Sequence, residues 1–145
     1  NLPLLVTAGD NCFDSCGITT ISLPVLTTAG VFCFAYCQLT SVNLPLLNTA
    51  GNYCFNTPAL TTISLPSLTI AGDGSLTACF SLTTISLPSC TNLGTSVANN
   101  FVFNVIAGNT ITLTIPAALM TCNAGSPDGD IQYLQANNTV TIVTV

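Results

Sequence analysis

Short runs of this chain alternate apolar and polar residues, stop at a proline, and return at a fixed interval. In Thr19-Thr20-Ile21-Ser22-Leu23-Pro24 the aliphatic residues occupy every second position, the period of a strand buried on one face. Ile21 and Leu23 are expected to point into a core, and Thr20 and Ser22 to point out. Pro24 has no N–H to donate and closes the ladder. The pair Leu-Pro recurs at Leu2-Pro3, Leu23-Pro24, Leu44-Pro45, Leu65-Pro66 and Leu87-Pro88, at intervals of 21, 21, 21 and 22 residues. Later in the unit, Ala29-Gly30 is expected to turn the chain and Phe34 to fill the next core layer. A unit this short cannot bury its apolar face alone, so stacking of neighbours must make the core.

The aliphatic spacing is specific. Leu39-x-x-Val42-x-Leu44, Leu60-x-x-Ile63-x-Leu65 and Leu82-x-x-Ile85-x-Leu87 share one form, and Ile18-x-x-Ile21-x-Leu23 fits with one conservative change. A period of about 20–29 residues with this spacing marks a leucine-rich repeat. The predicted fold is a β-rich, right-handed leucine-rich repeat solenoid over residues 1–108. It has about five rungs of 21–22 residues, each a short strand plus a short helical or 3-10 arc. The segment Cys33-Phe34-Ala35-Tyr36-Cys37-Gln38-Leu39 extends the likeness. Across residues 1–94 the chain resembles the BspA-like leucine-rich repeats of bacterial surface proteins. It departs from them in placing one residue, Gln38, rather than two between Cys37 and the closing Leu39. The resemblance implies a cell-surface, adhesive role. Asn1 falls inside a repeat, so earlier repeats or a leader are expected to lie outside this stretch.

After Gly94 the pattern changes. Asn109 to Ile115 alternates as a strand, with Ile111, Leu113 and Ile115 on one face. Pro116 is expected to open a short helix reaching about Met120. Ser126-Pro127-Asp128-Gly129 is expected to turn, and Asp130 to cap a helix from Ile131 to Ala136. Thr139 to Val145 is expected as a final strand on an edge. Residues 109–145 are thus expected to form a small β/α cap over the end of the core.

Composition removes most chemistry. The chain has no Lys, Arg, His or Glu, and its only acidic side chains are Asp10, Asp14, Asp73, Asp128 and Asp130. Charged residues make up 3%, against 49% hydrophobic, which excludes disorder of the charged, apolar-poor kind. Nucleic acid needs cations to neutralise phosphate, and a polybasic lipid anchor needs them too. A Ser or Cys nucleophile usually takes a His or Lys base. No catalytic residues and no cofactor are expected. No apolar run approaches the roughly 20 residues a spanning helix requires, so membrane insertion is not expected.

Eight cysteines remain. Cys12, Cys33 and Cys54 form one 21-residue column, and Cys16, Cys37 and Cys79 a second that Pro58 interrupts. A disulfide ladder, a thiolate metal site and buried free thiols are the alternatives. Rungs about 4.8 Å apart permit the Cα separation of a disulfide, but parallel side chains do not bring Cβ atoms to about 3.8 Å without distortion. Free thiols in the core are therefore favoured, as the resemblance also implies, and no metal site is expected. Asp128-Gly129-Asp130 is too short for a calcium loop, which needs about six to eight oxygens. Asn137-Asn138-Thr139 is a glycosylation sequon, meaningful only in a eukaryotic secretory setting.

The outward strand residues are the candidate contact surface. They are Thr20, Ser22, Ser41, Asn43, Thr62, Ser64, Thr84 and Ser86, an uncharged column of hydroxyls with one amide. Solvated strand residues explain them simply. Partner contact through hydrogen bonds and ice binding by a regular hydroxyl array are the functional readings. The expected function is a non-enzymatic, extracellular or cell-surface structural or adhesive protein, whose partners are other copies of itself or a surface protein or glycan. A recognition module at the tip of a longer surface protein or virion appendage is the alternative.

Overall fold

The structure is a computed structural model that describes residues 2–94, 102–103, 107–122, 125 and 128–145. Its strands are β1 (Thr7–Ala8), β2 (Thr20–Ser22), β3 (Thr28–Ala29), β4 (Ser41–Asn43), β5 (Thr49–Ala50), β6 (Thr62–Ser64), β7 (Ile70–Ala71), β8 (Thr84–Ser86), β9 (Asn92–Leu93), β10 (Thr110–Ile115) and β11 (Thr139–Thr144). Every pairing is parallel. The odd-numbered short strands form one sheet in the order β1-β3-β5-β7-β9. The Leu-Pro strands form two further ladders, β2-β4 and β6-β8, the second extended by β10 and β11 in the order β6-β8-β10-β11.

The second sheet is a departure from expectation. Ala29, expected to turn the chain with Gly30, instead forms a strand with Thr28 that pairs with Thr7-Ala8 before it and Thr49-Ala50 after it. Ala8, Ala29, Ala50 and Ala71 all point inward and are buried. A small side chain lets this short strand approach the core closely. A two-residue strand is too brief to show as periodicity, which explains why alternation missed it.

The arc after each glycine also differs. Among the described residues 2–94 it is a run of turns, with neither an α- nor a 3-10 helix. Asn11, Phe32, Tyr53 and Gly74 form a column of left-handed residues, with φ of 55°, 53°, 56° and 62°. Alternate amides point along the stack. Phe32 N, Phe34 N and Tyr36 N donate to Asn52 O, Cys54 O and Asn56 O, each at 2.9 Å. These bonds between rungs offset the cost of about 1–2 kcal/mol for a left-handed residue with a side chain. A helical arc would spend the same amides within the rung.

The core runs between these three ladders. Leu23, Leu44, Leu65 and Leu87 are buried in one column, and Leu26, Leu47 and Leu68 in another. Phe13, Phe34 and Phe55 stack with centroids 5.4 Å apart. Threonines tie the corners: Thr40 Oγ1 donates to Thr19 O and Thr83 Oγ1 to Thr61 O, both at 3.2 Å. The rungs approach so closely that a Cβ on Gly51 would lie 2.6 Å from the Gly30 carbonyl carbon.

Beyond β9 the Leu-Pro sheet continues. β10 pairs with β8 through Thr112↔Thr84, Leu113↔Ile85 and Thr114↔Ser86, and β11 pairs with β10. A 3-10 helix, Ala117–Met120, follows Pro116, as expected. Helix α1, Gly129–Asn137, lays Ile131 and Leu134 on the core.

Its cap differs from expectation. Asp128, with φ −52° and ψ 148°, is the N-cap, and its side chain accepts from Asp130 N at 2.9 Å. A capping residue must have extended backbone, which Asp130, inside the first turn, does not. Asp130 is instead fully buried, and its Oδ1 accepts from Val102 N. The expected turn at Ser126-Pro127 lies outside the described residues.

Candidate functional face

The eight outward strand residues lie on two ladders, four on β2-β4 and four on β6-β8. Thr20 stands beside Ser41 and Ser22 beside Asn43; Thr62 stands beside Thr84 and Ser64 beside Ser86. The first six are exposed, and Thr84 and Ser86 are half-buried. Asn43 Nδ2 donates to Ser22 Oγ at 2.9 Å, whereas Thr20, Ser41, Thr62, Ser64, Thr84 and Ser86 make no side-chain hydrogen bond within the described residues. The face therefore presents free hydroxyls to whatever lies in front of it.

It is larger than the repeats alone suggest. The pairing of β10 and β11 adds Thr110, Thr112 and Thr114, then Thr139 and Thr141, in register with Thr84 and Ser86. The signal was present in the alternation Thr110-Ile111-Thr112-Leu113-Thr114-Ile115. The segment expected to cap the core thus also extends the strand face.

The face carries no cation, and a cavity of about 340 Å³ reaches Thr20 and Ser22 at its β2 end. Among the described residues no three Cys or Asp side chains come together as a metal site. Asp10 and Asn52 serve the backbone: Asp10 Oδ1 accepts from Val31 N at 2.8 Å and Asn52 Oδ1 from Asp73 N at 3.0 Å.

The cysteines are away from this face, and all eight are free thiols. Cys33, Cys37, Cys54 and Cys79 are buried, while Cys12 is exposed and Cys16 half-buried, because no described rung covers them. Burial pushes the Cys33 thiol up to about 12, helped by neighbouring Cys12, and Cys79 up to about 11. Cys54 is raised well above the ordinary thiol range by burial and by Cys33. Each therefore stays protonated. Cys37 Sγ donates to Phe13 O at 3.0 Å and Cys79 Sγ to Phe55 O at 2.8 Å. Thiols serving as small donors in a dry core are poor nucleophiles. Cys90 is buried and Cys122 exposed.

A second surface feature is aromatic. Phe32 stacks on Tyr53 at 5.0 Å and lies 6.4 Å from Tyr36 along the arc. Its signal in the sequence is the recurrence of aromatics at positions 32 and 53, one repeat apart.

No helix among the described residues is long and apolar enough to cross a membrane. No curated protein and no solved structure matches the chain. A family model described as a BspA type leucine rich repeat region matches residues 6–123 in six copies. The match extends past Gly94 into the segment carrying β10, consistent with that strand's pairing on β8. Repeats of this kind are generally surface-associated modules of protein–protein contact. Spacing, parallel register and family match agree, and the chain belongs to the BspA type leucine-rich repeat family.

Proposed function

We propose that this chain is a non-enzymatic structural or adhesive protein, displayed outside the cell or on its surface, that associates with copies of itself. The observation carrying this reading is the strand face: hydroxyls and one amide paired from Thr20 to Asn43, and hydroxyls paired from Thr62 to Thr141 on a second ladder, with no charge among them. Such a face meets a like face or a neutral partner without repulsion between like charges and without desolvating an ion. The absence of Lys and Arg supports it twice. It leaves trypsin-like proteases no cleavage site, and it leaves no cation to recruit nucleic acid or anionic lipid.

Negative-stain microscopy and light scattering, each with and without reductant, test the reading. Filaments or sheets are the expected result. A discrete monomer or trimer at every concentration sinks it. The free hydroxyls of Thr62 and Ser64 favour a second reading, recognition of a neutral glycan or protein on the same face. A discrete particle that binds a glycan array, and loses binding on Thr62→Val with Ser64→Ala, would establish that reading instead.

A further inference from the structure

We infer that the outer face of the β6-β8-β10-β11 ladder binds ice. The inference goes beyond the self-association proposed above and does not depend on it, because it asks only for the face of a single chain.

The ladder holds two columns of outward side chains in register. Thr62 stands beside Thr84, Thr84 beside Thr112 and Thr112 beside Thr141. Ser64, Ser86 and Thr114 make the second column, followed by Val143. Thr62, Ser64, Thr112 and Thr141 are exposed, and Thr84, Ser86 and Thr114 are half-buried. None of these hydroxyls makes a side-chain hydrogen bond within the described residues, so each turns its donor and acceptors to water. Between the columns Ile63, Ile85 and Leu113 are fully buried and hold the strands to the core.

The spacing of the array suits a lattice of water. Paired strands stand about 4.7–4.9 Å apart, and same-face neighbours along a parallel strand about 6.6 Å apart, two rises of about 3.3 Å. Oxygens on the prism face of hexagonal ice repeat close to the first spacing along one axis and somewhat above the second along the other. Branching at Cβ restricts threonine to few χ1 settings. Neighbouring threonines in a column thus repeat one hydroxyl and one methyl at the strand pitch.

The wall behind the face does not bend it. A repeat stack curves when one side is wider than the other, as when helices about 8–10 Å apart back strands about 4.8 Å apart. Here the opposite side is itself a ladder, with Thr7, Thr28, Thr49, Ile70 and Asn92 paired in turn. The arc is bonded rung to rung as well. Phe34 N donates to Cys54 O at 2.9 Å, Tyr53 N to Asp73 O at 2.9 Å and Phe55 N to Ser75 O at 2.8 Å. Each side keeps the strand pitch, so no wedge accumulates beneath β6 and β8.

Charge points to the same ligand. An ionised side chain holds its hydration shell in an order that ice cannot continue, and Asp10, Asp14, Asp73, Asp128 and Asp130 all lie outside these columns. A neutral face meets a neutral lattice without desolvating an ion. No aromatic ring stands in the columns to stack on a sugar.

Thermal hysteresis, the gap between the melting and freezing of a single ice crystal in a solution of the protein, tests this. The wild type is expected to open a gap and to grow faceted crystals. Thr112→Lys sets a long charged side chain in the middle of the threonine column and, when folded as judged by far-UV circular dichroism, is expected to lose the gap. Thr141→Lys repeats the test one strand on and decides it should Thr112→Lys not fold. Thr28→Lys sets the same charge on β3, in the other sheet, and is expected to keep the gap. A wild type that leaves ice as unshaped discs overturns the inference, as does a gap that survives in a folded Thr112→Lys or Thr141→Lys. Loss of the gap in a folded Thr28→Lys overturns it too, since another surface would then hold the ice. Light scattering on the same samples reads self-association separately, so failure here leaves that reading standing.

Discussion

Phe34 and Phe55 stack with ring centroids 5.4 Å apart and 19° between their planes, one rung on the next. Both are fully buried, and Phe13 continues the stack at its half-buried end. Phe34→Ala should cost about 3–5 kcal/mol, the range for emptying a buried aromatic site. Phe13→Ala should cost clearly less, because solvent already reaches that ring. Urea denaturation of the two variants checks the order, and equal losses would mean the stack is buried uniformly.

The glycines separate two kinds of position. A Cβ on Gly51 would meet three backbone atoms of the previous rung within 2.8 Å, and backbone cannot swing aside. A Cβ on Gly17 would meet nothing within 4 Å. Gly51→Ala is expected to destabilise by about 1–3 kcal/mol, as overpacking does. Gly17→Ala should leave the melting temperature unchanged or slightly raised. A tolerated Gly51→Ala would show that the rungs stand further apart than described.

The two aspartates of Asp128-Gly129-Asp130 have different roles and should respond differently. Asp128→Ala removes a helix cap, worth about 1 kcal/mol. Asp130→Ala strands the buried Val102 N–H, a penalty of about 1–3 kcal/mol, and also empties space in the core. Chemical denaturation should rank Asp130→Ala as the more damaging. The reverse order would restore Asp130 to the capping role its sequence position suggested.

Thiol chemistry follows exposure. With a disulfide-exchange reagent at about pH 8, Cys12 is expected to react first and the exposed Cys122 more slowly, since slight burial and Asp128 raise its thiol. Cys33, Cys37, Cys54, Cys79 and Cys90 should react only on unfolding. Fast reaction at Cys54 would contradict its burial.

Stability should fall at high pH. The folded-state values of Cys33 and Cys79, about 12 and about 11, lie above the ordinary 9.0 of the unfolded chain. The folded state therefore holds these protons more tightly. Stability is full below about pH 9 and is lost as pH rises from there toward about 11–12. Denaturation midpoints at about pH 8 and about pH 10.5 measure the loss. Cys54→Ala with Cys79→Ala should make the decline shallower, and an unchanged decline would mean that these thiols do not carry it.

Much of the fold was legible because its cause is local. Ile21 and Leu23 face the core for the same reason as Ile63 and Leu65, namely a two-residue period repeated every 21. That period also placed Thr62 and Ser64 on the outer face, so the candidate surface was readable residue by residue. Phe34 was recognisable as a core residue by its recurrence as Phe13 and Phe55. The second sheet was not legible, because Thr28-Ala29 is shorter than any period. Nor was the arc, because a left-handed Phe32 or Tyr53 has no compositional mark.

The amino-acid sequence alone determined the repeat, the inward and outward faces and the exclusion of chemistry that requires a cation. Each depends on residue type and spacing along one chain. Tertiary structure decided what depends on the neighbouring rung. It sent the arc amides onward instead of into a helix, joined β10 to the repeat face, and buried Asp130 against Val102. It also left Ile21 half-buried while burying Ile63, two residues in the same column with the same neighbours in sequence. Burial in a stack is a property of position along the stack, and the sequence of a single rung does not contain it.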